Sequence, residues 1–361
     1  MFIVEKQKNK IRPDNIASII VILFFISYLF SQTVDGFSEY ISFFIGISGF
    51  LFLFKKKDFQ TYIQNINIVI LFGAFFFLML LSIVYTQNIT NLIEVVFQLK
   101  YVGVAILLLK YKINPMIIYF SFYTHALFFT FHILNGTDPN LIMKASRNNV
   151  SVIMIIQTSL VYISLVKNNK KTTYLPALIT FIISLWAIGR SGILSSVFLL
   201  IGVLLVTLKI ENTKKNMTLN IVLSLLLVIL FNIPTNTLNI VDNLSNNYEI
   251  AYQRSLNKGL EDRARETILK EYIKEFDMNI MSFFLGVPFR DHSIFAFYNN
   301  NLHNSYLRLH AFFGLAGFLM ILIGIAVAMK NYIKQKNILY FFIFGTLLLR
   351  ITTDTLAFTG I

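Results

Sequence analysis

The sequence predicts an all-α, polytopic transmembrane helical bundle of about eleven to twelve spans, with one large extracytoplasmic loop that contains an amphipathic helix. Three observations lead there. Hydrophobic residues make up 56% of the 361-residue chain, with 37 Phe and a mean hydropathy of +0.67, more apolar surface than one soluble core can bury. Apolar runs of about 15 to 20 residues recur along its length, suiting helices that cross roughly 30 Å of hydrocarbon, whereas the short alternating segments of a β-barrel do not occur. Lysines gather in alternate loops.

The spans follow in order. A basic stretch, Lys6, Lys8, Lys10 and Arg12, precedes an apolar run near 16–32; no small-x-small cleavage site follows, so it reads as an uncleaved first span. A second run near 40–54 ends at Lys55–Lys57, and a third lies near 66–85. The fourth, near 92–109, carries Lys100 close to its middle, with Glu94 nearly two turns away, and closes on Lys110 and Lys112. Such an intramembrane lysine is a candidate for lining a polar cavity. The fifth, near 116–134, holds His125 and His132, read as structural. The sixth, near 149–166, begins beside Arg147 and ends at Lys167, Lys170 and Lys171. Spans near 174–189 and 192–208 are joined without a lysine by Trp186-Ala-Ile-Gly-Arg-Ser-Gly192, and Lys209, Lys214 and Lys215 follow. A ninth lies near 218–233, a tenth near 307–329 before Lys330, Lys334 and Lys336, and an eleventh near 338–358. In the last, Arg350 and Asp354 stand at i and i+4, the spacing of an intrahelical ion pair.

By the positive-inside rule the lysine loops are cytoplasmic, which puts the N-terminus inside and the 234–306 loop outside. The net charge of +13 arises from these flanking lysines, which orient helices and meet anionic headgroups, so a nucleic-acid partner is rejected. With no Cys there is no disulfide, thiolate metal site or Cys nucleophile. No acidic or His-x-x-x-His cluster suggests a metal, and Walker and dinucleotide motifs are absent, so no cofactor is expected. Residues 1–361 form one membrane domain, and 234–306 is its one elaborated loop.

The chemistry is expected in that loop and at the neighbouring span ends, since nine of the 18 Asp and Glu fall inside it. Ile268, Leu269, Tyr272, Ile273 and Phe276 recur at helical spacing, an amphipathic helix suited to lie on the membrane or cap the bundle. Arg265 aligns with Leu269, Tyr272 and Phe276, whereas Arg263 lies nearly opposite among Thr267, Lys270 and Lys274. Leu285-Gly-Val-Pro288 then breaks the helix. Arg190, at the boundary of two spans, suits a pyrophosphate or carboxylate through its forked guanidinium; the alternative is an arginine that snorkels to lipid phosphates. Arg147 marks another helix start, as a phosphate ligand or a helix anchor. His303, where the loop meets the tenth span, has the intrinsic pKa of a general base; His310, two turns deeper and ahead of Gly314 and Gly317, reads as packing.

In this order, Gly189-Arg-Ser-Gly192, Arg265 on a loop helix, Leu285-Gly286, His303-Asn-Ser-Tyr-Leu307 and Phe313-Gly-Leu-Ala-Gly317 resemble the O-antigen polymerase and O-antigen ligase superfamily. The resemblance covers roughly the second half of the chain. It implies a metal-independent glycosyltransferase of about a dozen helices, acting on the outer face of a bacterial cytoplasmic membrane on a glycan carried by undecaprenyl pyrophosphate. It implies that Arg190 and Arg265 hold the pyrophosphate and that His303 acts at the acceptor hydroxyl. The residues themselves add Arg263 and Arg147 as further pyrophosphate candidates and Asn304, Tyr306 and Arg308 as candidate acceptor or sugar contacts. The lipid-linked oligosaccharide and the bilayer are the expected partners, with a chain-length regulator as a third. A polymerase, which extends another lipid-linked repeat, is favoured over a ligase, whose acceptor is lipid A-core. A flippase or other transporter is disfavoured, since the charges gather at the outer boundary and no repeat is visible.

Overall fold

The computed structural model describes residues 13–53, 74, 77–78, 80–87, 89–144, 146–210, 263–289, 295, 302 and 304–353. The ninth expected span, most of the third, the first half of the large loop, and His292, Asp291, His303 and Asp354 lie outside the described residues. Among the described residues the chain is all-helical, with no strand.

Helix α1 (Pro13–Thr33) starts with a proline, whose missing N–H is no loss at a helix N-terminus, and with Asp14 in its first turn. It ends before Gly36, whose φ of 78° reverses the chain. Helix α2 (Glu39–Ile47) is capped by Ser38 and tightens into a 3-10 turn over Ser48–Leu53. It crosses α3 (Ile89–Lys110) backbone against backbone, because a Cβ on Gly46, Gly49 or Gly103 would overlap the opposing helix. Asn114 and Pro115 open α4 (Pro115–Leu134), and Asp138 caps the short α5 (Pro139–Ile142). Then come α6 (Asn148–Lys167), α7 (Leu175–Trp186) and α8 (Arg190–Ile210). The seventh span is shorter than the sequence suggests, since Ile188 adopts φ 56° and breaks the helix beyond Trp186.

The second half comprises α9 (Arg263–Met278), α10 (Ile280–Leu285), α11 (Ser305–Lys334) and α12 (Ile338–Thr353). Helix α8 packs on α12 and α7, α6 on α4 and α7, and α10 on α11. Inside, α4, α6 and α7 are joined by Ser121 Oγ donating to Gln157 Oε1 at 3.0 Å and by the Thr158–Thr180 hydroxyl contact. Among the described residues five helices are long and apolar enough to cross a membrane: α1, α4, α6, the first 18 residues of α8, and α11. Phenylalanines and aliphatic side chains fill their mutual contacts.

The two ends of the bundle differ in charge. At one end Lys167 Nζ donates to the carbonyls of Leu108 and Leu109, the Lys112 amide reaches Asp14 Oδ1, and Asn168 holds the Ile113 carbonyl. Lys330, Lys334 and Lys336 close this lysine end where α11 turns into α12. The opposite end gathers the N-termini of α6, α8 and α11 and the C-terminus of α12, and hence Arg147, Arg190, Arg308 and Arg350. We call it the arginine end; Lys144 is also there, bonded through its amide and its amine to the carbonyls of Gln32 and Ser31.

Candidate functional site

At the arginine end the first turns of α6 and α8 are pressed together. After Ile188 the chain enters α8 through Gly189-Arg-Ser-Gly192, and the two glycines are what allow the approach: a Cβ on Gly189 would stand 2.6 Å from Asn148 Oδ1, and one on Gly192 would overlap Ser151. Arg190 is thus at the N-terminus of α8, half-buried, beside the turn in which Arg147 is the N-cap of α6. Both helices direct the positive ends of their dipoles to this junction, which favours an anion, while the first amides of α6 donate to the Ser146 hydroxyl and to the carbonyls of Ser146 and Arg147.

A third arginine completes it. The fully buried Arg350 of α12 donates from Nη1 to Ser191 Oγ at 2.9 Å and from Nη2 to the Asn148 carbonyl at 3.1 Å, tying α12 to both N-terminal turns at once. The expected Arg350–Asp354 pair falls partly outside the described residues; the partners found are 159 and 202 positions away in sequence. Local spacing draws attention to the i+4 acid, whereas the signal for Ser191 and Asn148 is that all three residues stand at the span ends remote from the lysine loops.

A second assembly surrounds the start of α11. Asn304 Oδ1 accepts from the amides of Tyr306 and Leu307 at 2.8 and 3.3 Å, so the candidate sugar contact Asn304 acts as the N-cap, next in sequence to His303. Tyr306 is half-buried, with its ring edge-on to Phe318. Arg308 is only 4% exposed, with its guanidinium over the rings of Phe289 and Phe312 at 6.0 and 5.5 Å, so it is enclosed by aromatics.

Tyr272 from α9 enters the same cluster. His310 Nε2 lies 2.8 Å from the Phe283 carbonyl, which can only accept, so this nitrogen carries the proton and Nδ1 is the acceptor for the Tyr272 hydroxyl at 2.9 Å. That hydroxyl also lies 3.1 Å from the Leu307 carbonyl. Burial pushes the Tyr272 phenol well above its ordinary range, which keeps it a donor. The imidazole of His310 is therefore a pin joining α9, α10 and α11. His125 is similarly enclosed, its ring nitrogens facing the carbonyls of Ser121 and Phe25.

The motif glycines have steric work in this assembly. Gly286 (φ 103°) brings the chain after α10 against the Ala311 carbonyl, and Gly314 (φ 62°, ψ −171°) breaks α11 where it meets the Phe284 carbonyl. Both conformations are open essentially to glycine alone.

Register places the loop arginines. Among the described side chains of α9 Ile268 and Tyr272 are buried, while Leu269 turns outward, contrary to its place in the stripe expected from spacing. Position 265 stands three and seven residues before the buried pair and shares their side; position 263, nine residues before Tyr272, is opposite. Lys270 pairs with Glu266 at 2.6 Å on the solvated side.

Lys100 is buried in the first half of the chain. Its amine lies 3.8 Å from Glu39 Oε2 and near the rings of Tyr28 and Tyr101, while Gln32 donates to Glu39 Oε1. Glu39, on α2, is a partner that spacing along α3 does not reveal. Comparison with family models, curated proteins and solved structures returns no match to this chain.

Proposed function

We propose that the chain is a polysaccharide polymerase of the outer face of a bacterial cytoplasmic membrane, with eleven to twelve spans and a cytoplasmic N-terminus, which transfers a glycan from undecaprenyl pyrophosphate to another lipid-linked repeat. The observation that carries this reading is the junction at the arginine end, where Arg190 and Arg147 head two apposed helix N-termini held by Arg350. Fixed cations and helix dipoles stabilise a dianionic leaving group without reorganisation. Supporting it, the buried side of α9 carries position 265, and α11 begins directly after His303.

In the reaction an acceptor hydroxyl attacks the anomeric carbon, the bond from that carbon to the pyrophosphate oxygen breaks, and undecaprenyl pyrophosphate departs with its charge held by Arg190 and Arg265. His303 takes the hydroxyl proton. Asn304, as the cap of α11, fixes the chain beside that base.

The test is purified protein in vesicles with a lipid-linked repeat as sole donor and acceptor. A ladder of longer lipid-linked products is expected. His303→Ala should lower turnover about 10²- to 10⁴-fold with donor binding retained, whereas Arg190→Ala should weaken donor binding as well, with Lys restoring it only in part because it lacks the fork. Transfer only upon addition of lipid A-core would make the protein a ligase. No transfer in either format, from folded protein that fails to bind the donor, would remove the reading.

A further inference from the structure

The amphipathic loop helix does not present one apolar stripe but two apolar sides with different destinations. Ile268 and Tyr272 are consumed by packing on α11. Roughly 60 to 100° around the helix from Tyr272, Leu269 and Ile273 are exposed, and the same edge continues over the corner into α10 with Met278, Ile280, Met281 and Phe284. Met278 and Ile280 are each 64% exposed, too much apolar surface on adjoining turns to be the scattered exposure of a water-facing helix. The charged arc borders this edge at Glu266, one row from Ile273, and turns away from it, with Lys270 and Lys274 paired to Glu266 and Glu271.

The depth of this edge can be read from what it touches. Helix α10 abuts α11 at the Gly314 break, and from there residues 315–334 continue without interruption. The apolar part of that run ends at Met329, before Lys330, and its fifteen residues at about 1.5 Å each cover about 22 Å of a layer roughly 30 Å thick. Gly314, and α10 with it, therefore stands within the leaflet at the arginine end, short of its boundary. On its other flank α10 meets helical residues 80–86, where Tyr85 Oη lies 3.1 Å from Ser282 Oγ and accepts from Asn279 Nδ2 at 2.8 Å. Leu80, Leu81 and Val84 of that segment are exposed, as are Leu319, Ile323 and Val327 of α11, so the apolar edge of α9 and α10 continues the apolar surface of the elements beside it.

We infer that α9 and α10 form a half-inserted interfacial hairpin, with Leu269, Ile273, Met278, Ile280, Met281 and Phe284 immersed among the acyl chains of the leaflet at the arginine end and the Glu266, Lys270, Glu271 and Lys274 side in water. Acyl chains are the occupant that this continuity selects, because a soluble partner would have to cover a surface that runs into the spanning helices. Insertion fixes the height of the first turn of α9, which carries positions 263 and 265, near the phosphates of the leaflet. That consequence for a lipid-linked pyrophosphate rests on the glycosyl-transfer reading; the insertion does not.

The chain has no cysteine, so single replacements give clean probe sites. Ile273→Cys, Met281→Cys and Phe284→Cys would be spin-labelled in vesicles of phosphatidylethanolamine and phosphatidylglycerol, with Lys270→Cys and Lys274→Cys as water-side positions and Leu319→Cys as a spanning reference. Collision with oxygen should exceed collision with a water-soluble nickel chelate at 273, 281 and 284, as at 319, and the order should reverse at 270 and 274. Preferential nickel access at 273, 281 and 284 would overturn the proposal by showing a water-facing edge. Low access to both reagents there would overturn it too, since the edge would then be covered by protein. Neither readout requires activity, so loss of the glycosyl-transfer reading would leave this result standing.

Discussion

At the scale of single residues, Arg350 shows how a membrane bundle uses a guanidinium it cannot solvate. One fork spans two acceptors on two helices, Ser191 Oγ and the Asn148 carbonyl, and so registers α6, α8 and α12 against each other. Hydrogen bonds to a charged group contribute about 1.5 to 3 kcal/mol each in soluble proteins, and bonds between membrane helices average about 0.6 kcal/mol. Arg350→Ala should therefore lower stability in detergent by about 1 to 3 kcal/mol. Ser191→Ala alone should cost less, and the double variant should fall short of the sum by roughly 0.5 kcal/mol or more, as measured by reversible unfolding. Strict additivity would show that the two side chains do not share a bond. Sequence made the arginine visible, because a cation inside an apolar run demands a partner, but spacing pointed only to Asp354, outside the described residues, and not to Ser191 or Asn148. Lys100 repeats the lesson, its acid Glu39 standing at the start of the second span. In both cases helical spacing ranks only neighbours on the same helix, whereas a buried charge is neutralised by whatever the packing of other helices delivers.

At the scale of elements, the sequence revealed where helices run and concealed how they end. Apolar runs and flanking charges marked the boundaries of α1, α4 and α6 within a few residues, and Asn114-Pro115 shows a start signal in its own chemistry. The break at Gly314 and the outward turn of Leu269 were not legible, because both depend on α10 pressing against α11. The glycines at this contact differ physically from Gly36, around which a Cβ would meet nothing within 4 Å. Gly36→Ala should cost only the left-handed strain, about 1 to 2 kcal/mol. Gly286→Ala and Gly314→Ala add overlap with a backbone carbonyl to a conformation that itself costs about 1 to 3 kcal/mol, so each should destabilise the protein more than Gly36→Ala does. Thermal unfolding of the three variants side by side checks the order. Equal midpoints for all three would mean that α10 does not bear on α11 as described.

At the scale of the whole molecule, the charge asymmetry that oriented the spans in sequence becomes a physical polarity. Lys110, Lys112, Lys167 and Lys170 meet at one end, where the amine of Lys167 and the amide of Lys112 are engaged with backbone or side-chain oxygens, while the helix N-termini of α6, α8 and α11 and their arginines meet at the other. Positively charged loops are retained on the cytoplasmic side during insertion, so the lysine end should be inside and the arginine end outside. A reporter active only after export should then be active when fused near Asn246 or Asn300 and silent near Lys170 or Lys334, and a cytoplasmic reporter should show the reverse. The arginines do not spoil this expectation. Arg350 is buried, Arg308 is sheathed by two aromatic rings and Arg190 is half-buried, whereas the retention signal resides in loop charges that face the translocating machinery as each span enters. If the export reporter is instead active at Lys170 and silent at Asn300, the junction of Arg147, Arg190 and Arg350 faces the cytoplasm. A lipid-linked glycan already moved to the outer leaflet would then never reach it, and the proposed chemistry would fail on topology alone, whatever the individual residues can do.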